Sequence, residues 1–456
     1  MGRMLVDVSA MKAGVAKAIE SYQDEIIEVA EHICRNPEPG YTEFKTAKFV
    51  KEKLEGLGID LETGLAITGM KGSLAGGAGP GPSVALVGEL DSLRVFDHPL
   101  ADPETDAAHA CGHHCQVGSM YGALTGLVRS GVLDHLWGSV VAIAVPAEEF
   151  IDVQDRLALR DSGAIEFLGG KQEFLKLGVL DDVDMAMLVH TAPEGVMPNR
   201  AALAVGGTSN AHVAKFVEYT GFGAHAAAAP HKGVNALNAA MIGLAAIHAN
   251  RETFEEKDKV RVHGILTRGG EAVSAIPPKV VLEWRVRAGS PEAVVHYAEK
   301  VDRGFKAGAL AVGARVDITD IPGYLPMRNN PMMQDLFVEN ANAFVGEERV
   351  LIWPDGYNRG GSTDMGDVSQ VIPALHPYCG GVTGTPHAND YIVRDYHQAV
   401  INPAVVMAMT VIDLLSAEAR NAKKVIENDH APMTRDEYLE FQRGRARVIS
   451  FDGDGV

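Results

Sequence analysis

Cysteine is scarce: Cys34, Cys111, Cys115 and Cys379 are the four in 456 residues, irregularly spaced. A disulfide framework is therefore not expected, and a reducing compartment is the default. Basic residues are outnumbered, 41 against 60 acidic, for a net charge of −19. The basic footprint needed for nucleic acid is missing, as is the attraction needed to dock on an anionic membrane surface. The start, MGRMLVDVSAMKAGVAKAIE, has no uninterrupted apolar core and no cleavage-site pattern, so it does not read as a signal peptide. Gly2 lacks the serine or threonine context of a myristoylation site. No apolar run is expected to approach the roughly eighteen residues that span a bilayer, and the chain reads as cytoplasmic. Two catalytic signatures are absent as well. Gly360-Gly361-Ser362-Thr363-Asp364 lacks the lysine of a phosphate loop, and no Gly-x-Ser-x-Gly elbow supports Ser/His/Asp catalysis.

What the chain does have is length, glycine and alternation. A chain this long predicts two or three structural units, and 49 glycines suit many tight loops around an α/β sheet. Apolar residues at helical spacing (Val15, Ile19, Tyr22, Ile26, Val29, Ile33) predict one helix over 8–34, stopped by Asn36 and Pro37. A second helix is expected over 43–57. Short apolar runs at 83–88, 138–145 and 186–189 read as buried strands, the first delivering Glu89 and Asp91 to a strand end. A helix from about Gln116 lies between the first two. Strands alternating with helices point to an α/β sandwich with a largely parallel sheet. From 211 to 320 the order becomes strand, helix, strand, strand, helix, strand, which is ferredoxin-like. The expected division is a discontinuous unit of 1–207 and 323–456, with 208–322 inserted. The last thirty residues carry charges without a clear period and read as a peripheral arm.

Four short segments carry the chemistry. His109-Ala110-Cys111-Gly112-His113-His114-Cys115 packs five thiol and imidazole groups into seven residues. It reads as a metal-binding turn, Gly112 letting Cys111 and His113 face one ion or ion pair, or as a surface histidine-rich turn. Pro146-Ala147-Glu148-Glu149-Phe150 follows a buried strand. One carboxylate there can bind metal while the other takes a proton from the attacking water, or both can begin a helix. His190 follows a third strand, and His387 sits in the glycine-rich loop Gly384-Thr385-Pro386-His387. Trp353 and Tyr357 read as pocket lining or as core packing. The 360–364 loop reads as an active-site loop.

Together these segments resemble the peptidase M20 family, in particular its amidohydrolase branch of aminoacylase, hippurate hydrolase, auxin-conjugate hydrolase and aminobenzoyl-glutamate hydrolase types. The matching stretches are Arg35-Asn36-Pro37-Glu38, Gly88-Glu89-Leu90-Asp91, His109 to His113, Pro146 to Glu149, Gly221-Phe222-Gly223-Ala224-His225, Gly269-Gly270 leading to Ile276-Pro277, and Pro386-His387. They cover nearly the whole chain. The resemblance implies an α/β/α catalytic domain of metallopeptidase type with an inserted ferredoxin-like dimerisation or lid domain. It implies two divalent cations per subunit (zinc or manganese, with cobalt or nickel also fitting), bridged by Cys111. Glu149 and His387 complete one position, and His113 and His190 the other. It implies Glu148 as general base and acid, and His225 as a substrate or oxyanion contact that can reach a partner's site in a homodimer or higher homo-oligomer. Arg287 matches a position that grips a substrate carboxylate; a surface strand residue is the alternative. Two departures stand out. His114 replaces the branch's usual Asp and is assigned to the groups behind the metal ligands or to the pocket wall, and Ser274 replaces a common substrate-contacting Asn. Cys115 is assigned to packing.

Three functions follow from these residues. The first is hydrolysis of the amide bond of an N-acyl or aroyl amino acid, or a related small conjugate, by metal-activated water. The second is hydrolytic deamination of an aromatic amine, of the 5-nitroanthranilate aminohydrolase type, prompted by His114 and Ser274. The third is non-catalytic metal binding, which gives Glu148 no purpose.

Overall fold

A computed structural model describes residues 7–197, 201–354 and 356–455. The three expected buried strands lie together. Gly79–Glu89 sits between Trp137–Val145 and Met185–Met187, parallel to both, and Ala374–Leu375 extends the parallel run. Leu61–Leu65 and Gly69–Ala75 close the far edge antiparallel. Val84, Ala85 and Leu86 are consecutive and all fully buried. Both faces of this sheet are covered, which is why its strands read as continuous apolar runs rather than alternations.

One face is covered by Val8–Ser21, Gln23–Arg35, His113–Arg129 and Asn402–Leu415. The last of these helices corrects an expectation. His397–Leu415 is long and apolar enough to cross a membrane by length and composition, but 89% of that stretch is buried inside the protein, where it is a core helix. The single helix expected over 8–34 is two. Tyr22 departs to φ −111° and ψ 12°, its N–H satisfied by Ala18 and Ile19 carbonyls, and Gln23 starts afresh with Asp24 and Glu25 in the first turn. The apolar period runs through the break, so periodicity alone did not reveal it.

The expected ferredoxin-like set is present: Ala211–Thr220, Ala236–Asn250, Arg261–Arg268, Lys279–Ala288, Pro291–Val312 and Arg315–Pro322. Its strands pair antiparallel, with Ala211–Thr220 between Lys279–Ala288 and Arg315–Pro322, and Arg261–Arg268 at one edge. The other edge is not free. Arg447–Asp452, from the arm at the end of the chain, pairs with Arg315–Pro322 as a fifth strand. Charge explains the docking. Lys215 is fully buried with Nζ 2.5 Å from both Asp302 and Asp320, and Arg447 brings a second cation 2.5 Å from Asp320. Two cations against two carboxylates close a network that Lys215 alone leaves short of positive charge. We therefore propose that the inserted unit comprises 208–322 together with this returning strand, which the boundary expected from the sequence had left in the other unit.

Candidate active site

Parallel strands deliver their ends to one edge of the sheet, where ligand groups gather in open α/β folds. Glu89 ends one strand, and Asp91 follows it. Pro146 to Glu149 follow the neighbouring strand. Asp91 ties the two together: Oδ2 accepts the Glu149 N–H at 2.8 Å, and Oδ1 lies 3.1 Å from His113 Nδ1. Ala147 takes φ 54°, an uncommon conformation for a residue with a side chain. Its N–H is held by Glu43 Oε1 at 2.9 Å, and Thr68 donates to the other oxygen at 2.8 Å. Burial and the nearby Asp91 push the Glu43 carboxyl up to about 8.

Gly112 caps the helix His113–Arg129 at φ 90°. A Cβ there would stand 2.1 Å from Thr191 Oγ1 and 2.6 Å from Tyr391 OH. Both the conformation and the space demand glycine. Gly112→Ala is expected to lower stability by at least about 1–2 kcal/mol from the left-handed backbone alone. Urea unfolding of the metal-free protein checks this; an unchanged midpoint would contradict it.

His190 corrects a smaller expectation. The strand expected at 186–189 ends at Met187, and His190 opens a second strand, His190–Pro193, which pairs with Tyr378–Thr383 in another sheet. The change of sheet turns His190 toward Cys111, with Nε2 3.4 Å from Sγ. His387, at φ 68°, is anchored by its N–H to the Ala110 carbonyl at 2.9 Å and puts Nε2 3.4 Å from Glu149 Oε1.

The five residues singled out as ligands therefore meet. Cys111, His113 and His190 form one group, and Cys111, Glu149 and His387 another, ligand atoms within 4.8 Å of one another in each. Cys111 belongs to both. A third group, Glu89, His113 and Glu148, abuts the first.

The residues fit divalent cations on three counts. First, His113 Nε2 and Glu149 Oε1 are buried and have no hydrogen-bond partner; Glu89 Oε2 lies 3.1 Å from His113 Nε2 without forming one. Second, both imidazoles are oriented from behind. His113 Nδ1 bonds the Asp91 carbonyl at 3.0 Å, and His190 Nδ1 the Thr191 carbonyl at 2.7 Å. Donating that proton leaves each Nε2 with a lone pair facing the group. Third, the crowd is unfavourable without positive charge. Burial, then Glu149, pushes the Cys111 thiol up, and burial with Glu89 and Glu149 raises the Glu148 carboxyl. A thiol, three imidazoles and a carboxylate are the donors zinc and related ions take.

Glu148 stands apart from the ligand groups built on Cys111. It is 7% exposed, opens onto the adjoining cleft, and among the described residues no side chain hydrogen-bonds its carboxylate, His113 Nε2 lying 3.8 Å from Oε2. Only its backbone carbonyl is fixed, by the Tyr324 hydroxyl.

The cleft has a volume of about 570 Å³. Arg287 lines it, with Nη1 donating to Ser362 Oγ at 2.8 Å, and the 360–363 loop forms part of the wall as expected. Three residues assigned to the site are not brought to it. His225 and Ser274 are exposed on the inserted unit, away from this cleft. His225 Nδ1 accepts the N–H groups of Ala227 and Ala228, which leaves Nε2 as the donor. His114 is buried behind the helix start against Cys115, His109 and Tyr396. Consecutive helical residues diverge by about 100°, so His114 cannot face the same way as His113. Cys115 packs there as expected.

Other groups had no local signal. Lys171 is buried with Nζ 2.5 Å from Glu89 Oε1 and from Asp364 Oδ1, a contact spanning 193 residues in the second case. His376 stacks on His190 at 5.9 Å. Trp353 and Tyr357 stack on each other rather than lining the cleft, and Arg359, which does line it, lies over Trp353 and Tyr378.

No family model matches the chain. Over 344 residues it is 30% identical to Xaa-Arg dipeptidase of Mus musculus, covering 73% of this chain and 70% of that one. Over 369 residues it is 26% identical to an IAA-amino acid hydrolase of Arabidopsis thaliana, covering 78% and 77%. Two solved structures share the fold. A putative aminohydrolase from methicillin resistant Staphylococcus aureus superposes with a TM-score of 0.68 at 20% identity, covering 89% of this chain and all of that one. The Bacillus subtilis YXEP protein, described as a dinuclear metal binding peptidase from the M20 family, gives 0.63 at 20% identity over 87% and 99%. On that likeness, and on a site built to hold divalent metal, this chain belongs to the peptidase M20 family and is a metal-dependent hydrolase of its amidohydrolase branch.

Proposed function

We propose that the chain hydrolyses the amide bond of an N-acyl or aroyl amino acid, or a related small conjugate, with Glu148 as general base and acid. The observation that carries this reading is the Glu148 carboxylate, hydrogen-bonded by no described side chain and facing the cleft beside two ligand groups that share Cys111. We assign one cation to Cys111, His113 and His190 and a second to Cys111, Glu149 and His387; zinc or manganese suits the donors, and cobalt or nickel can substitute. Cations bound there would polarise the scissile carbonyl and favour ionisation of the attacking water. Glu148 takes the proton from that water and passes it to the leaving nitrogen.

Aromatic deamination is less well supported. The two departures that prompted it, His114 and Ser274, both lie outside the cleft. A dipeptide ending in arginine, as in the name of the mouse relative, is also a poor match, because arginines line the cleft. Two features support a homodimer. Among the described residues His225 Nε2 meets no acceptor, and the inserted unit exposes Phe222, Met241, Ile265 and Val273.

The assay is direct. Purified enzyme supplied with zinc or manganese is incubated with N-acyl amino acids and with substituted anthranilates. Equal release of a carboxylic acid and a free amino acid is the expected result. Ammonia released from the ring amine alone would overturn the amide reading.

A further inference from the structure

The chain carries a net charge of −19, yet its cleft holds cations that the protein does not neutralise. Arg261, Arg285, Arg287 and Arg359 all border it. Among the described residues none of them forms an ion pair. Among the described residues the carboxylates lining the cleft are Glu148 and Glu149, and both belong to the catalytic machinery proposed above.

Two of these arginines are poised for a ligand. Arg287 bonds only neutral partners, Ser362 Oγ at 2.8 Å and His263 Nε2 at 3.3 Å. His263 is neutral because burial, then Arg287 and Arg285, hold its pKa down to about 4. Arg359 is held against two rings, its guanidinium 4.9 Å from the Trp353 ring centre and 3.4 Å from that of Tyr378. Its Nε and Nη1 are buried and have no hydrogen-bond partner among the described residues. Burial lowers the pKa of both groups. An arginine left this way lacks the hydrogen bonds that normally offset desolvation, and a carboxylate matches its fork.

The two guanidiniums are also separate. Arg287 stands on the inserted unit and feels Glu149, Glu148 and Tyr324. Arg359 comes from the other unit, on the loop leading into Gly360, against Trp353 and Tyr378. Both line the same cleft, and they enter it from different segments of the chain.

We propose that the substrate is a dianion, an acidic N-acyl amino acid or conjugate whose two carboxylates pair separately with Arg287 and Arg359. This rests on the hydrolase reading and narrows its substrate class.

The test compares isosteres that differ only in charge. N-Acetylglutamate and N-glutarylglycine are offered beside the monoamides in which one carboxylate is a carboxamide. For at least one parent compound, each lost charge is expected to lower kcat/KM by about 10- to 100-fold, the range for a charged hydrogen bond. Arg359→Gln should erase the penalty for one carboxylate and Arg287→Gln the penalty for the other. Equal kcat/KM for dianion and monoamides in the unmutated enzyme overturns the proposal, whether or not the variants fold. So does a uniform loss for all substrates in folded variants. If no amide is cleaved, the hydrolase reading fails, and binding decides separately. Glutarate should then raise the melting temperature of the purified protein more than glutaramate does, and an equal effect of the two counts against the dianion.

Discussion

Glu148→Gln is expected to lower kcat by about 10²- to 10⁴-fold, the range for loss of a general acid–base group, while the protein keeps its full metal complement. Glutamine matches glutamate in shape but cannot take a proton. Among the described residues no side chain hydrogen-bonds that carboxylate, which lies 3.8 Å from His113 Nε2, and Tyr324 holds only its main-chain carbonyl. Stability and metal content should therefore survive the change. The measurement is steady-state kinetics on metal-quantified protein. Turnover within a factor of a few of the unmutated enzyme would remove Glu148 from the mechanism. Loss of metal in proportion to activity would instead make it a ligand, consistent with the third group it forms with Glu89 and His113.

Cys111→Ser is expected to have the larger effect on metal. Its sulfur is the one atom common to both ligand groups, so its removal weakens two positions at once. A serine hydroxyl stays protonated near neutral pH and cannot offset repulsion between two cations as a thiolate does. Groups behind a ligand typically contribute 10- to 100-fold in affinity, and a shared ligand should exceed that, at least about 100-fold. Elemental analysis after dialysis should find less than one equivalent per chain and no measurable turnover. Cys115→Ser is the control: that thiol is buried against His114, belongs to neither group, and should retain metal. Full occupancy in Cys111→Ser would mean the two groups do not share a bridging atom.

Several features were legible before any coordinates because they are local. The strands 211–220, 279–288 and 315–322 and the helices between them follow from period and length, and the structure shifts their ends by a residue or two. Glycine at 112 was readable as a tight turn. The position of His114 was not, because the helix expected from about Gln116 begins at His113, and only that earlier start sends His113 and His114 to different faces. The break at Tyr22 was harder to see, because both helices bury residues with the same spacing.

The sequence by itself determined the ligand types, their order along the chain and the elements that carry them, because strand ends, turn glycines and helical periods are written in adjacent residues. Only the tertiary structure decided what stands behind and around those ligands. Lys171 meets Glu89 and Asp364 across 82 and 193 residues, Arg447 returns to Asp320 across 127, and Arg359 reaches the cleft on a platform of Trp353 and Tyr378. Such pairings are fixed by packing and by the need to neutralise buried charge. Neither has a period or a spacing along the chain, so no local pattern announces them.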